Sequence, residues 1–173
     1  MKTLPFFRRT AILLFAGMLF SGHAAWAQPD GARLNPERTM QKQAAVTLAV
    51  EEFYSALNTL FTGDAQPMKH LWSHADDITF MGPEGAYLRG WEEIGAMWDK
   101  VGEARLGGMV TPRDVHTVTG SELPLVTCIE SGENVSDGKI ETVRIRSSTL
   151  FRLEDGNWKA VHHQTDLLGF MGK

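Results

Sequence analysis

The sequence has a single cysteine, Cys128, so no disulfide can form within the chain. It also lacks a long apolar run, because the longest one covers about ten residues (11–20) and a membrane-spanning helix needs about 20. Acidic and basic residues interleave along the chain, with a formal net charge of -4 and no basic stripe. These absences exclude a disulfide scaffold and a spanning helix, and they predict that the protein does not bind nucleic acid.

Motifs that mark cofactor chemistry are missing as well. There is no Gly-rich phosphate loop, no serine nucleophile elbow and no spacing of cysteines and histidines typical of zinc. The sequence therefore predicts no metal ion and no cofactor. Cys128 is interpreted as a small buried apolar residue. A catalytic nucleophile is the less favoured alternative, since export would expose a reactive thiol to oxidation.

The amino-terminal segment is typical of a secretory signal. It has a basic start, a short apolar core and the small-residue ending Ala25-Trp26-Ala27. We expect residues 1–27 to be removed by cleavage after Ala27, which would leave a periplasmic or secreted protein that is not bound to a membrane. A retained membrane anchor is the alternative, and the short apolar core disfavours it.

Hydrophobic periodicity predicts helices first and strands afterwards. Residues 28–41 are interpreted as a leader and the start of the first helix, and residues 42–173 as one domain. Asn35 and Pro36 are typical of a helix start. Apolar residues at steps of three and four predict helices over 36–62, 67–73 and 91–104. Runs rich in β-branched residues predict strands over 78–81, 87–89, 109–119, 123–130, 140–153 and 158–167. This order predicts an α+β fold.

Three stretches together resemble the SnoaL-like branch of the nuclear transport factor two-like superfamily, which is related to ketosteroid isomerase. They are EEFYSALNTLFTGDAQPMKHLWSHADDITFMGPEG, YLRGWEEIGAMW and RSSTLFRLEDGNWKAVHHQTD. The resemblance rests on the order of a helix, a Gly-Asp step, a Pro-x-Gly turn, a glycine-started helix and a closing hairpin. It covers about residues 42–167.

The resemblance implies a cone-shaped α+β barrel. A long first helix and two shorter helices would pack in a strongly bent, mostly antiparallel sheet around an apolar cavity. It also implies a small apolar or aromatic ligand and a homodimer that pairs through the sheet. The favoured function is small-molecule binding with no assigned reaction. The alternatives are a cofactor-free isomerase or lyase and a non-catalytic dimeric assembly module.

The candidate catalytic residues are His162 and Arg146. Strand alternation places His162 and Gln164 on one face, together with Ala160, and the resemblance implies that this face lines the cavity. His162 would transfer a proton and Arg146 would stabilise an anion, with Glu130 as its internal partner. The alternatives are a structural histidine and an arginine in solvent on the convex face.

Further residues are expected to line the ligand cavity. The orientation of the Tyr54 hydroxyl stays open between the cavity and its rim. Gly82 occupies the position most like the aspartate base of ketosteroid isomerases, so steroid isomerisation by that route is disfavoured. The candidate ligand-binding residues are Tyr54, Trp72, Met81, Trp98, Glu130, Ser148 and Gln164.

Overall fold

The computed structural model of the chain describes residues 36–83, 85–119, 122–136 and 138–167. The expected signal over 1–27 and most of the expected leader lie outside the described residues, and these two expectations stay predictions. No helix within the described ranges is long and apolar enough to cross a bilayer.

Three helices precede or interrupt the strands. The first, α1, buries a stripe of apolar residues at helical spacing, among them Val50, Phe53 and Leu57. Gly63 follows it at φ 113°, a backbone conformation that glycine adopts without steric cost and that lets the chain turn into the second helix. The helices are α1 (Pro36–Leu60), α2 (Gln66–Leu71) and α3 (Gly90–Ala104).

The strands form one six-stranded mixed sheet in the order β2-β1-β6-β5-β4-β3. β1 runs parallel to β6, and every other neighbouring pair is antiparallel. The strands are β1 (Thr79–Met81), β2 (Tyr87–Arg89), β3 (Met109–Val118), β4 (Leu125–Ser136), β5 (Lys139–Glu154) and β6 (Asn157–Leu167).

Strand β4 is longer than the sequence predicts. The sequence predicts a strand that ends at residue 130, but Gly132 lies inside β4, opposite Val110 of β3. A Cβ at this position would collide with the backbone carbonyl oxygen of Met109. Gly132 therefore allows β3 and β4 to approach each other closely, and it does not mark the end of β4.

A β-bulge interrupts the pairing of β5 with β6. Leu150 pairs with His162 and Phe151 pairs with Ala160, so Val161 has no partner of its own. The extra residue reverses the alternation of β6 beyond this point. Ala160 and His163 consequently face the same side of the sheet, although they are three positions apart along β6.

The core lies between α1 and one face of the sheet, which we call the inner face. Its fully buried side chains include Phe53 of α1, Ile94 of α3 and Phe151 of β5. Helix α2 adds Met68, and Trp72 follows it. This arrangement is an α+β cone, which confirms the fold predicted from the sequence.

Helix α1 is joined to β3 by an amide clamp. The Asn58 side-chain nitrogen donates to the carbonyl oxygen of Val110 at 2.9 Å, and the Val110 backbone N–H donates to the Asn58 side-chain oxygen at 2.8 Å. β3 is an edge strand, so this pair of bonds satisfies main-chain groups that have no further strand to bind.

Candidate functional site

A cluster of polar side chains lies buried on the inner face of the sheet. The Tyr54 hydroxyl of α1 donates to a Glu130 carboxyl oxygen at 3.0 Å and lies 3.0 Å from the Cys128 sulfur. Cys128 and Glu130 are two residues apart on β4, so their side chains point to the same face. We call Tyr54, Cys128, Glu130 and His163 the polar cluster.

His163 joins this cluster from β6. Its Nδ1 lies 2.9 Å from the Thr149 hydroxyl oxygen, and its Nε2 lies 3.6 Å from a carboxyl oxygen of Glu130. The imidazole packs between two phenyl rings, with ring centroids 5.1 Å from Phe53 and 5.9 Å from Phe80. Its side chain is 5% exposed, so its polar atoms are confined to the interior.

Burial favours the uncharged forms of the polar cluster. Desolvation raises the pKa of Glu130, and the hydrogen bond from Tyr54 only partly opposes that shift. Desolvation also lowers the pKa of His163 to about 3 and raises the pKa values of Tyr54 and Cys128. The shifts of Glu130 and His163 both favour the neutral form, so burial disfavours an ion pair between the two side chains.

Two buried polar atoms, the indole nitrogens of Trp72 and Trp98, have no hydrogen-bond partner within the described part of the chain. The two indoles lie with ring centroids 5.8 Å apart, and both contact the Phe80 ring. Ser147 is opposite Cys128 in the sheet register, beside the polar cluster. Unpartnered polar atoms are costly in a protein interior.

Four of the expected ligand-binding residues lie inside the cone. Tyr54, Trp72, Trp98 and Glu130 are all buried among the core residues or the polar cluster. The Tyr54 hydroxyl, whose direction the sequence left open, points to Cys128 and Glu130.

Three other expected ligand-binding residues lie on the opposite, outer face. Met81 is paired with Gln164, and Gln164 with Ser148, so the three form one row across the sheet. Gln164 is exposed, and Met81 and Ser148 are half-buried. The expectation that these side chains line the interior is wrong, because the bulge at Val161 sets the face of β6.

The expectation that Arg146 and His162 face the interior is also wrong. The Arg146 side chain is 61% exposed and donates two hydrogen bonds of 2.8 Å to Asp166, so its partner is not Glu130. The His162 Nδ1 lies 2.7 Å from the Thr79 hydroxyl oxygen on the outer face, where partial burial lowers the pKa of His162. Neither side chain reaches the polar cluster, which lies across the sheet.

Sequence reasoning missed the inward role of His163, Thr149 and Ser147. One signal was present, since two consecutive histidines in a strand must point to opposite faces and one of them faces the core. Among the described residues, no group of three or more His, Cys, Asp and Glu side chains is placed to hold a metal ion.

The comparisons with known proteins agree with this architecture. The profile of the SnoaL-like domain family matches residues 46–166, which is most of the described part of the chain. The chain belongs to the SnoaL-like domain family. The resemblance inferred from the sequence is thereby confirmed. No curated protein is significantly similar to this SnoaL-like chain in sequence.

Solved structures share the fold at low sequence identity. A nuclear transport factor 2-like superfamily protein from Salmonella enterica has a TM-score of 0.67 at 14% identity, covering 78% of this chain and 99% of its own. A candidate dehydratase of that family from Streptomyces avermitilis has a TM-score of 0.65 at 21% identity, covering 75% and 99%. A candidate calcium/calmodulin-dependent protein kinase type II association domain from Thiobacillus denitrificans has a TM-score of 0.58 at 23% identity, covering 71% and 94%. These similarities concern the fold alone.

Proposed function

We propose that this SnoaL-like domain binds a small organic molecule inside the cone, with the polar part of that molecule at the polar cluster. The observation that carries the proposal is the placement of a carboxyl group, an imidazole, a phenol and a thiol in an otherwise apolar core. The fold family often binds small molecules or acts as a cofactor-free isomerase.

The energetic cost of this cluster supports a role in binding. Glu130 and His163 are each 5% exposed at their side chains, and burying such groups costs stability unless every polar atom is satisfied. Well-packed apolar residues of similar volume often stabilise a core more than buried ionisable groups do. Buried ionisable groups with shifted pKa values cluster at functional sites.

The thiol of Cys128 supplies a reporter, because it is the only cysteine in the chain. We expect 2-acetylnaphthalene, a small aromatic ketone, to slow the labelling of Cys128 by a disulfide reagent at pH 8 at least fivefold. Tyr54→Phe should weaken this protection. Tyr87→Phe is the matched control, since Tyr87 is the only other tyrosine and is 58% exposed. Unchanged labelling at a saturating probe concentration would count against the proposal.

A second candidate function is proton transfer, as in a cofactor-free isomerase or lyase. The observation that favours it is a carboxyl group of raised pKa 3.6 Å from an imidazole of lowered pKa, which pairs a candidate proton donor with a proton acceptor. The roles expected for Arg146 and His162 would then belong to Glu130 and His163, which lie inside the cone.

Exchange of the α-protons of a ketone in D2O tests this second function. Glu130→Gln and His163→Gln should each slow the catalysed exchange about 100-fold. His162→Gln is the matched control, because it alters the neighbouring imidazole on the outer face. Equal losses in all three variants would contradict an acid–base role for the polar cluster.

The homodimer expected from the sequence is proposed to use the outer face. Its middle row consists of Thr127, Ser148 and Gln164, which are uncharged and lie side by side in the register. Ser148→Arg should convert the dimer to a monomer in native mass spectrometry. If the protein is a dimer and no small molecule slows the labelling of Cys128, the assembly module would be favoured instead.

Export is proposed from residues 1–27. A mature protein recovered from the bacterial periplasm or medium should begin at Gln28. Recovery of the intact chain from the cytoplasm alone would contradict this proposal.

A further inference from the structure

We infer that the surface of helix α1 carries a separate binding site, which takes a long-chain alkyl carboxylate. The site is an open groove of about 870 Å³ between the amino-terminal half of α1 and the end of the β5–β6 hairpin, and its volume is within the range of small-molecule pockets. It lies outside the polar cluster, so the inference does not depend on the proposed function. We call it the α1 groove, and its lining includes Arg38, Lys42, Ala45, Leu123, Leu153 and Trp158.

The floor of the α1 groove is apolar and accessible to solvent. Leu153 and Trp158 are cross-strand neighbours in the hairpin. Leu153 is 54% exposed and Leu123 is 40% exposed, while Trp158 is half-buried. Single exposed apolar side chains are common on protein surfaces, but several that line one concave surface are typical of a binding site. An alkyl chain in the groove would remove this apolar area from water, which is favourable.

Two basic side chains lie at one end of the groove. Arg38 and Lys42 are four residues apart on α1, so they are neighbours on the helix surface and their like charges repel. Arg38 is exposed, and no carboxylate of the described residues forms an ion pair with it. The Lys42 ammonium lies 5.7 Å from the centre of the Trp158 ring, which joins the basic end to the apolar floor. A carboxylate placed here would relieve the repulsion and accept charge-assisted hydrogen bonds.

The other charges of the lining set the charge of the ligand. Arg152 also lines the groove, but two carboxylates bind its guanidinium at 2.7 Å each, so its charge is already compensated. Glu122 is the one acidic residue among the described residues of the lining. Arg38, Lys42 and Glu122 together carry two positive charges and one negative charge. A single negative charge on the ligand neutralises this set, whereas an amine would be repelled.

The groove continues along α1, which favours an extended chain over a compact ring system. A second groove of about 660 Å³ adjoins it at Ala45 and Trp158 and extends to Ala56 of α1. The helix rises by about 27 Å from Arg38 to Ala56, at about 1.5 Å per residue. Leu71 of α2 adds apolar surface to this second part. A linear alkyl chain with its carboxylate at the basic end can follow both parts.

Three ten-carbon probes test the inference on the full mature chain. They are the anion decanoate, the neutral 1-decanol and the cation decyltrimethylammonium, each titrated below its micelle concentration in isothermal calorimetry. We expect decanoate to bind about fivefold more tightly than 1-decanol, and the cation to bind most weakly. Equal affinities for all three would indicate unspecific adsorption to apolar surface and overturn the inference. Binding of none of the three would overturn it as well.

Variants locate the site. Arg38→Gln and Lys42→Gln should each lower the preference for decanoate over 1-decanol about threefold. Lys100→Gln is the matched control, because it removes the same charge at an exposed position of α3. Leu153→Asn, at an exposed position that tolerates the change, should weaken both probes alike. A preference unchanged in both basic variants, or binding unchanged in Leu153→Asn, would contradict the assignment of the groove.

Two further measurements separate the α1 groove from the cone and from a membrane surface. Saturating decanoate should leave the labelling rate of Cys128 unchanged within twofold, because the groove lies outside the polar cluster. Protection of Cys128 by decanoate would place the chain in the cone, which would overturn this inference and support the proposed function. Vesicles of phosphatidylglycerol should not retain the protein in flotation. Retention that Arg38→Gln abolishes would assign the groove to a membrane surface instead.

Discussion

Nε2 of His163 lies 3.6 Å from a carboxyl oxygen of Glu130, and burial favours the neutral form of both groups in the folded protein. Because each group has a different pKa in the unfolded chain, the pair links stability to pH. The two groups act in opposite directions, and substitution separates their effects.

His163 should weaken the fold in acid. The unfolded chain binds a proton at this residue below about pH 6.5, while the folded chain binds it only near pH 3. The free energy of unfolding should therefore fall by up to about 1.4 kcal/mol per pH unit as the pH drops from 6 to 4. His163→Phe, whose ring fits the same aromatic stack, should show a shallower loss in urea denaturation.

An exposed histidine is the control for this measurement. His70→Gln alters α2 at a residue whose side chain contacts solvent, so the slope should match that of the natural protein. If His163→Phe has the same slope as His70→Gln, the imidazole of His163 is not buried in a neutral form.

Glu130 should weaken the fold as the pH rises. Above its ordinary pKa of 4.5 the unfolded chain loses this proton, whereas the folded chain keeps it until its own raised pKa is reached. Glu130→Gln has no proton to retain, so its stability relative to the natural protein should increase between pH 5 and pH 7.5. The measurement is the difference in urea-unfolding free energy between Glu130→Gln and the natural protein, taken at pH 5 and again at pH 7.5. Glu133→Gln, at an exposed position on the same strand, should show no such increase.

The amide clamp between Asn58 and Val110 should contribute measurably to stability. Asn58→Leu leaves the backbone N–H and carbonyl of Val110, a residue that is 1% exposed, without side-chain partners. We expect the free energy of unfolding to fall by about 1 to 3 kcal/mol. Ser55→Ala, at an exposed position of the same helix, should change it little. A loss no larger than that of Ser55→Ala would mean that solvent replaces the clamp at no cost.

Arg146 should be dispensable for ligand binding. Its side chain is exposed and paired with Asp166 across the sheet from the polar cluster. Arg146→Ala should therefore leave the protection of Cys128 by 2-acetylnaphthalene unchanged within twofold, in the same labelling assay in which Tyr54→Phe weakens that protection. A tenfold weakening of this protection in Arg146→Ala would indicate that the ligand binds on the outer face.

Most of the fold could be predicted from the sequence because helices and strands have different hydrophobic periods. The first helix was expected over 36–62 and is observed over Pro36–Leu60, and the strand at 87–89 has the expected bounds. The end of β4 was misplaced, since Gly132 is needed for a close approach between strands and this need depends on a neighbour far along the chain.

The site could be predicted only in part. Tyr54 and Glu130 were expected beside the ligand and lie together inside the cone. The alternation also placed His162 and Gln164 on one face, as observed, but the family resemblance assigned that face to the interior. The unpaired residue at Val161 arises from hydrogen bonding with β5, and a period of two along β6 holds no information about it.

Two histidines follow Val161 directly, so the bulge at this residue decides which imidazole belongs to the interior. If Val161 paired with Leu150 in a regular ladder, His162 would turn inward together with the carboxylate of Asp166, while His163 and Thr165 would move out to water. A change of hairpin register can therefore exchange these two sets of side chains without replacing any of them. Related sequences that lack the bulge should differ in the charge of the ligand that they bind, even where their histidine pairs are identical.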